Sequence, residues 1–506
     1  MTRQGIENLG VLAAAARYNT ERRPILRGYF DTALQSGQIF STEIVDEAVS
    51  DYSKDQDIDP RNPEDAFRQL LLMYPDDAEP QHYQIYLSVR FGDMSEQIRS
   101  NQAYSAVDLI SFEAFIRNLV SDRAEQLGIS SKYYTYSDKE ELVQVDEFER
   151  PSVIFQNKWI SCIEFSRSTL IDSFLAETED QQLAQEQSVA NRIDAVNSMI
   201  NFLSKSYDEN EQYSSYQFLD TPLFEVPGKE NRILVPFPSL LVNTAHIRIE
   251  NIFQNDEGLR KTEDSEKGEL VEELTMDALS EFESRNLIRS FKYTDPHPRE
   301  TDGLLLFEDS FWTVEVKSHP IFRKVPNDLS IAIDRFESKA KSAIEQGQNT
   351  IEFLREQGSD ILYNLTGEKS TENKEYGTIV VLDGLLPTLF SQNRRVDQLF
   401  GTSSIYDSVE EHDRVYLITL FDLFELTNQV DELDRLEDFL LWRTDFGFNM
   451  PVFSFNEREY WAMYFDNYEP DKEFQETIDD AAERDILVTY ISERFNDKPY
   501  LPKDRF

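Results

Sequence analysis

Residues 299–319 read RETDGLLLFEDSFWTVEVKSH. Two apolar runs flank Glu308-Asp309, an acidic pair suited to a two-residue turn, so the stretch is predicted to form a β-hairpin. An isolated charge in such a strand is costly, yet Glu315 and Lys317 stand among Trp312, Val314 and Val316. Side chains alternate along a strand, which puts Phe311, Thr313, Glu315 and Lys317 on one face and the other three on the opposite face. A turn of two residues sets Asp302 across from Glu315. One more residue in the turn would move Asp302 to the other face.

Two carboxylates converging beside an ammonium form a hard, oxygen-rich site suited to Mg²⁺ or Mn²⁺. Such ions keep several waters and bind through one or two carboxylates plus substrate phosphate. The backbone carbonyl of Val316 is a candidate further ligand. A metal there would polarise a phosphoryl oxygen, while Lys317 would orient the attacking water or stabilise developing negative charge. The outline is that of phosphodiester hydrolysis; the competing reading is an ion-paired, solvated hairpin face.

Upstream, KGELVEELTMDALSEF predicts a helix over 269–284. Its apolar face is Leu270, Leu274, Ala278 and Phe282, with Val271 and Leu279 beside it. Glu269, Glu272 and Glu273 crowd the N-terminal end, where the helix dipole favours acids, and Glu272 lies at the edge of the apolar face. The charged run 256–269, DEGLRKTEDSEKGE, reads as a lead-in to that helix. Downstream come a long helix near 328–357 and two buried strands in EYGTIVVLDG and DRVYLITLFD. Helix, hairpin, helix, strand, strand is the order of a mixed α/β layer, a sheet covered by helices.

Three regions follow from composition and pattern: 1–215, 216–445 and 446–506. The first is mainly α-helical, as TEIVDEAVSDY, PEDAFRQLLLMY, SFEAFIRNLVSDRAEQLG and the run 180–207 all return apolar residues every three or four positions. A hairpin over 151–165, turning at Asn157-Lys158, interrupts it, and 207–217 reads as a linker. The last region is an acidic, aromatic C-terminal extension, helical over 472–495.

The chain has 506 residues with 40% hydrophobic and 12% aromatic, ample for real cores. Lys plus Arg number 50 against 96 Asp plus Glu, a net charge of -46 that excludes a polybasic surface for nucleic acid or membrane over the whole molecule. The acids are spread along the chain and Arg outnumbers Lys, the surface expected of a halophilic archaeal protein. A single cysteine, Cys162, removes disulfide frameworks and cysteine zinc sites. No apolar run is long enough to span a bilayer, so the protein is expected to be cytoplasmic with no membrane partner.

Gly268 and Glu272 on a helix, then Asp302, then Glu315-Val-Lys317 on a strand, resemble the restriction-endonuclease-like superfamily known by its PD-(D/E)XK motif. The KGxxxE start is similar to Holliday-junction resolvases, and ETDGLLL with TVEVK to nuclease-related (NERD-type) and defence-associated nucleases. The resemblance covers about 230–440 and implies a restriction-endonuclease-like mixed sheet flanked by helices. It also implies an Mg²⁺-dependent endonuclease acting on nucleic acid, DNA before RNA, as an effector in antiviral defence, with a homodimer or a defence-system partner protein. In those terms Asp302, Glu315 and Glu272 hold the metal and Lys317 assists the attacking water. The following helix often carries a Gln or Lys near the site; Gln346 is the first choice and Lys339 the second. Thr301-Asp302 departs from the Pro-Asp of the motif's name.

Glu-x-Lys also occurs at Glu337 and Glu372, so the tripeptide alone says little; its placement in an aromatic, β-branched strand after Asp-Gly-apolar is what singles out Glu315. A catalytically inactive nuclease fold serving as scaffold or protein-binding module is the alternative, and an acidic duplex mimic a more distant one. NLTGEKST lacks the spacing of a phosphate loop. His297, His319 and the Arg394-Arg395 pair are assigned no role.

Overall fold

The computed structural model describes residues 80–92, 94–126, 133–136, 142–145, 163–178, 189–206, 220–225, 231–235, 240–242, 244–283, 287–295, 297–307, 309–318, 329–366, 375–383, 392, 405, 413–427, 433–448, 452–453, 457–465 and 488–489. Packing divides the chain into two units. One is Met1–Pro75 with Phe91–Phe253; the other is Asp76–Arg90 with Gln254–Phe506. This division rests on contacts, whereas those at 215/216 and 445/446 rest on composition and pattern. Helix α1 (Pro80–Gly92) gives its residues up to Arg90 to the second unit.

In the first unit lie α2 (Ser95–Asn101), α3 (Ala106–Gln126), the antiparallel pair β1 (Tyr133–Tyr136) and β2 (Leu142–Val145), and β3 (Ile163–Ser166). They are followed by α4 (Arg167–Glu177), α5 (Val189–Leu203), β4 (Ser204–Ser206), β5 (Leu223–Glu225) and β6 (Arg232–Val235). A mixed four-stranded sheet runs β3-β6-β5-β4, with only β4 and β5 parallel. Its strands of three or four residues are too short to show a period of two, which is why the sequence reads as helical here. The expected hairpin survives as β3 alone, paired with β6; its first arm and turn lie outside the described residues, as do TEIVDEAVSDY, PEDAFRQLLLMY and the linker.

α3 buries Leu109, Ile110, Phe112 and Ile116, and Phe112 meets Phe174 of α4 edge to face at 5.0 Å. Glu113 on the same helix is fully buried with Arg248. Its carboxylate takes Arg248 Nε and the N–H of Val242, each at 2.8 Å, which is how two charges are tolerated in this core. α6 (Ala245–Asn255) carries that arginine and closes the unit.

The second unit continues with α7 (Glu257–Glu283), β7 (Leu287–Asp295), β8 (His297–Leu306), β9 (Ser310–Lys317), α8 (Leu329–Thr366), β10 (Glu375–Leu382) and β11 (Asp413–Thr419). α7 starts twelve residues before the expected 269, because Asp256 Oδ1 accepts the N–H groups of Gly258 at 2.8 Å and Leu259 at 3.0 Å. That cap satisfies the open first turn. α8 likewise runs past 357 to Thr366.

The five strands lie in the order β11-β10-β9-β8-β7. β7, β8 and β9 form an antiparallel meander, and β10 and β11 join parallel. Phe307 N–H donates to Ser310 O at 3.0 Å, closing the hairpin with two residues between. Leu306 therefore faces Phe311, Leu304 faces Thr313 and Gly303 faces Val314. The architecture is mixed α/β, with helices on both faces of this sheet.

Glycines bring those helices close. On one face a Cβ at Gly303 would lie 2.9 Å from the sulfur of Met276 on α7. On the other, a Cβ at Gly347 of α8 would lie 2.7 Å from Thr313 Oγ1 and closer still to Thr378. Those two threonines pair across β9 and β10, Oγ1 to Oγ1 at 3.0 Å. Further along α8, Ile351, Phe353 and Leu354 close over Phe291, Tyr293, Leu304, Leu306, Phe311 and Tyr376 as one core.

Beyond β11 come α9 (Leu420–Thr427), α10 (Leu433–Trp442), a π-helical turn over Arg443–Gly447, β12 (Val452–Phe453), α11 (Glu457–Phe465) and β13 (Val488–Thr489). Arg443 is fully buried between Glu457, at 2.8 and 3.0 Å, and the ring of Tyr460 at 3.6 Å. The expected helix over 472–495 lies outside the described residues except at 488–489, where the chain is strand, paired in parallel with β12. Among the described residues no helix is long and apolar enough to cross a membrane.

Gly347→Ala should lower stability by about 1–3 kcal/mol, since β-branched Thr313 and Thr378 have little freedom to yield. That loss exceeds the roughly 1 kcal/mol the alanine gains in helix propensity. Urea denaturation checks it; an equal or more stable variant would mean that α8 is not held by this close approach.

Candidate functional site

At Asp302 the sheet comes apart. The registered pairs of β8 with β9 end at Gly303 and Val314, and those of β8 with β7 pass over Asp302 and Ser290. Ser290 has a φ of 52°, a left-handed backbone rare for a non-glycine residue and a local strain in β7. Asp302 thus sits at a fork between strands, where a side chain can replace the backbone partner. Its Oδ2 accepts the N–H of Val316 at 2.7 Å.

Glu315 is 2% exposed. Its Oε1 takes the hydroxyl of Thr301 at 2.6 Å, and Thr301 is itself fully buried. The departure from Pro-Asp therefore has a physical content, since proline carries no hydroxyl to donate. Among the described residues Oδ1 of Asp302 and Oε2 of Glu315 make no hydrogen bond, which leaves one oxygen of each carboxyl for a cation.

Lys317, two residues on along the same face, is half-buried and donates through Nζ to Oε1 of Gln346 on α8. The sequence choice of Gln346 thus falls on the Lys317 partner, one residue before the glycine that brings α8 down on the sheet. Lys339, the second choice, lies two turns earlier on that helix. Glu272 is half-buried on α7 while Glu269 and Glu273 are exposed, as its position at the edge of the apolar face predicts. Met276, one turn later, fills the space over Gly303 beside Asp302, so α7 approaches the fork at the level of Glu272.

The carboxyls at the fork are all shifted in one direction. Burial, and then the neighbouring Asp302, push Glu315 up to about 8, against the lowering effect of Thr301 and Lys317. Burial raises Asp302 as well, with the Val316 N–H and Lys317 acting the other way. Glu272 is raised by burial, by Asp302 and by Glu300 and Glu269, with Lys292 opposing. Three carboxyls that disfavour one another's negative charge, in an all-oxygen donor set, make a place where a hard divalent cation would relieve the repulsion. Among the described residues no group of three or more His, Cys, Asp or Glu side chains is drawn together closely enough to hold a metal. Mg²⁺ asks less than that, because it retains waters and binds through one or two carboxylates, and Asp302 with Glu315 meet that requirement.

Sequence reasoning passed over Thr301 as a contributor, and over Asp383 entirely. Asp383 follows β10, and its N–H donates to the carbonyl of Lys317 at 3.0 Å. Its only sequence signal is its place at the end of the run EYGTIVVLDG. Comparison with family models, with curated proteins and with solved structures returned no match for this chain.

The shift of Glu315 has a definite sign. A carboxyl raised in the folded state from 4.5 to about 8 gives a stability contribution that is full below about 4.5 and is lost as pH rises through 8. Glu315→Gln should therefore match wild type near pH 5 and exceed it near pH 9 by on the order of 3 kcal/mol. Urea denaturation at the two pH values reads this; an equal difference at both would mean that Glu315 is not held protonated by its surroundings.

Proposed function

We propose that this chain is a metal-dependent nuclease of the PD-(D/E)XK kind, hydrolysing phosphodiesters of nucleic acid, DNA before RNA. The observation that carries the reading is the fork itself. Asp302 and a buried Glu315 flank a strand opening, Lys317 follows on the same face, and Glu272 faces their field from α7. A structural ion pair would match charges; here Asp302, Glu315 and Glu272, with Glu300 and Glu269 beside them, meet Lys317 and Lys292, and burying acids that repel one another is a cost that a cation-binding role explains.

Asp302 and Glu315 would hold Mg²⁺ or Mn²⁺ with the Val316 carbonyl, and Glu272 would act on the ion through one of its retained waters. When bound, the ion supplies Lewis-acid polarisation of the scissile phosphate. The chain's own residues do the remainder. Thr301 and the Val316 N–H fix the orientation of the two carboxyls, and Gln346 holds the Lys317 ammonium where it would orient water or receive negative charge.

Net charge sets a condition on the substrate. A chain at -46 repels a polyanion in dilute buffer, and at about 1 M salt the Debye length falls to about 3 Å, which leaves short-range contacts through the metal in force. Lys317→Ala and Glu315→Gln should each reduce Mg²⁺-dependent cleavage of plasmid or single-stranded DNA by on the order of 100-fold or more. Wild-type cleavage should persist in about 1 M KCl. Cleavage unchanged by Lys317→Ala would sink the site; no cleavage of any substrate at any salt, with Mg²⁺ or Mn²⁺, would favour a nuclease-like scaffold instead.

A further inference from the structure

Lys317 is gripped from a second side by groups that the hydrolytic reading does not use. Asp383, whose N–H holds the Lys317 carbonyl, presents its carboxylate to two cations. Arg90 forks onto it, Nη2 to Oδ2 at 2.8 Å and Nε to Oδ1 at 3.3 Å, and Lys267 Nζ lies 3.6 Å from Oδ2. Arg90 is 1% exposed, Lys267 4% and Asp383 7%. Lys267 adjoins Gly268, where an added Cβ would lie 3.7 Å from the hydroxyl of Ser318, the residue after Lys317. α1 and α7 therefore converge on the carboxylate of Asp383, whose N–H alone reaches the carbonyl at the end of β9.

Stability alone is a poor explanation for such a cluster. Burying three charges costs several kcal/mol per ion, and well-packed apolar side chains often serve as well. A bidentate fork, however, fixes direction as well as distance, and what it fixes here is the residue that grips Lys317. We infer that Arg90, Asp383 and Lys267 form a positioning clamp for Lys317, and that residues 80–90 are for this reason an obligatory part of the proposed catalytic unit. The inference rests on the nuclease reading. None of the three touches substrate; they act through Lys317.

The buried Arg443–Glu457 pair of the same unit supplies the control, since it includes no residue of the site. In the full-length protein, Asp383→Asn should lower kcat roughly 10- to 100-fold, the usual effect of losing a supporting partner. KM for DNA and the half-saturating Mg²⁺ concentration should stay within about twofold, at temperatures well below its Tm. Arg90→Lys, which keeps the charge but not the fork, should fall between. Glu457→Gln should keep kcat within about threefold even where its Tm loss is as large. If Asp383→Asn and Glu457→Gln lose activity in proportion to Tm alike, the clamp is structural only and the inference fails. If the wild type cleaves no nucleic acid, the nuclease reading falls by itself, and amide exchange then decides the clamp. Faster exchange of the Asp383 N–H in Arg90→Lys, but not in Glu457→Gln, supports it, and unchanged exchange overturns it.

Discussion

One hydrogen bond, from Phe307 N–H to Ser310 O, sets the register on which everything around the fork depends. With two residues between, Gly303 meets Val314 as the last registered pair, and Asp302 and Glu315 are the next residues beyond it on their strands. A slip of one residue would send the whole Phe311-Thr313-Glu315-Lys317 row to the face covered by α7. Lys317 would lose Gln346, and a carboxyl would replace Val314 beneath Met276. The aromatic and branched residues of the middle of the hairpin make that slip expensive, so the chemistry at its open end is held by packing a few residues away.

Close approach is the second constraint. A sheet covered by helices at the usual separation leaves long side chains to bridge the gap, and a bridging side chain has freedom to wander. At Gly347 and Gly303 the helices come down nearly onto the strands, so the Gln346 amide and the Glu272 carboxyl start from backbones already near the fork. Precision at the site comes from rigid elements more than from the side chains themselves.

How much of this the sequence discloses depends on the range of the interaction. The hairpin is legible because its turn, alternation and acidic ends all lie within residues 299–319, and Glu272 because an edge position on an amphipathic helix is a local fact. Gln346 is reached through resemblance, not through pattern. The early start of α7 is hidden because its first turns have no apolar stripe to betray them; the Asp256 cap is the one sign, and it looks like any acid in so acidic a run. The short strands β4, β5 and β6 offer too few residues for a period. Arg90 and Asp383 are 293 residues apart, and no spacing rule connects them. Without an observed fold the fork of a guanidinium on a carboxylate is invisible.

That separation has a meaning for the order in which the molecule is made. Residues 80–90 of α1 are synthesised ahead of all of residues 91–253, yet Tyr83 and Tyr86 of that helix pack on Phe421 and Phe424, and Arg90 meets Asp383. At ordinary translation speeds of about 5–20 residues per second, those 293 residues take roughly 15–60 s. Throughout that interval the Asp383 carboxylate is not yet there for Arg90, and no β10 stands beside β9. A chain that ends before β10 therefore lacks both the carboxylate that Arg90 meets and the N–H that meets the Lys317 carbonyl, so two contacts far apart in sequence are completed by one late strand.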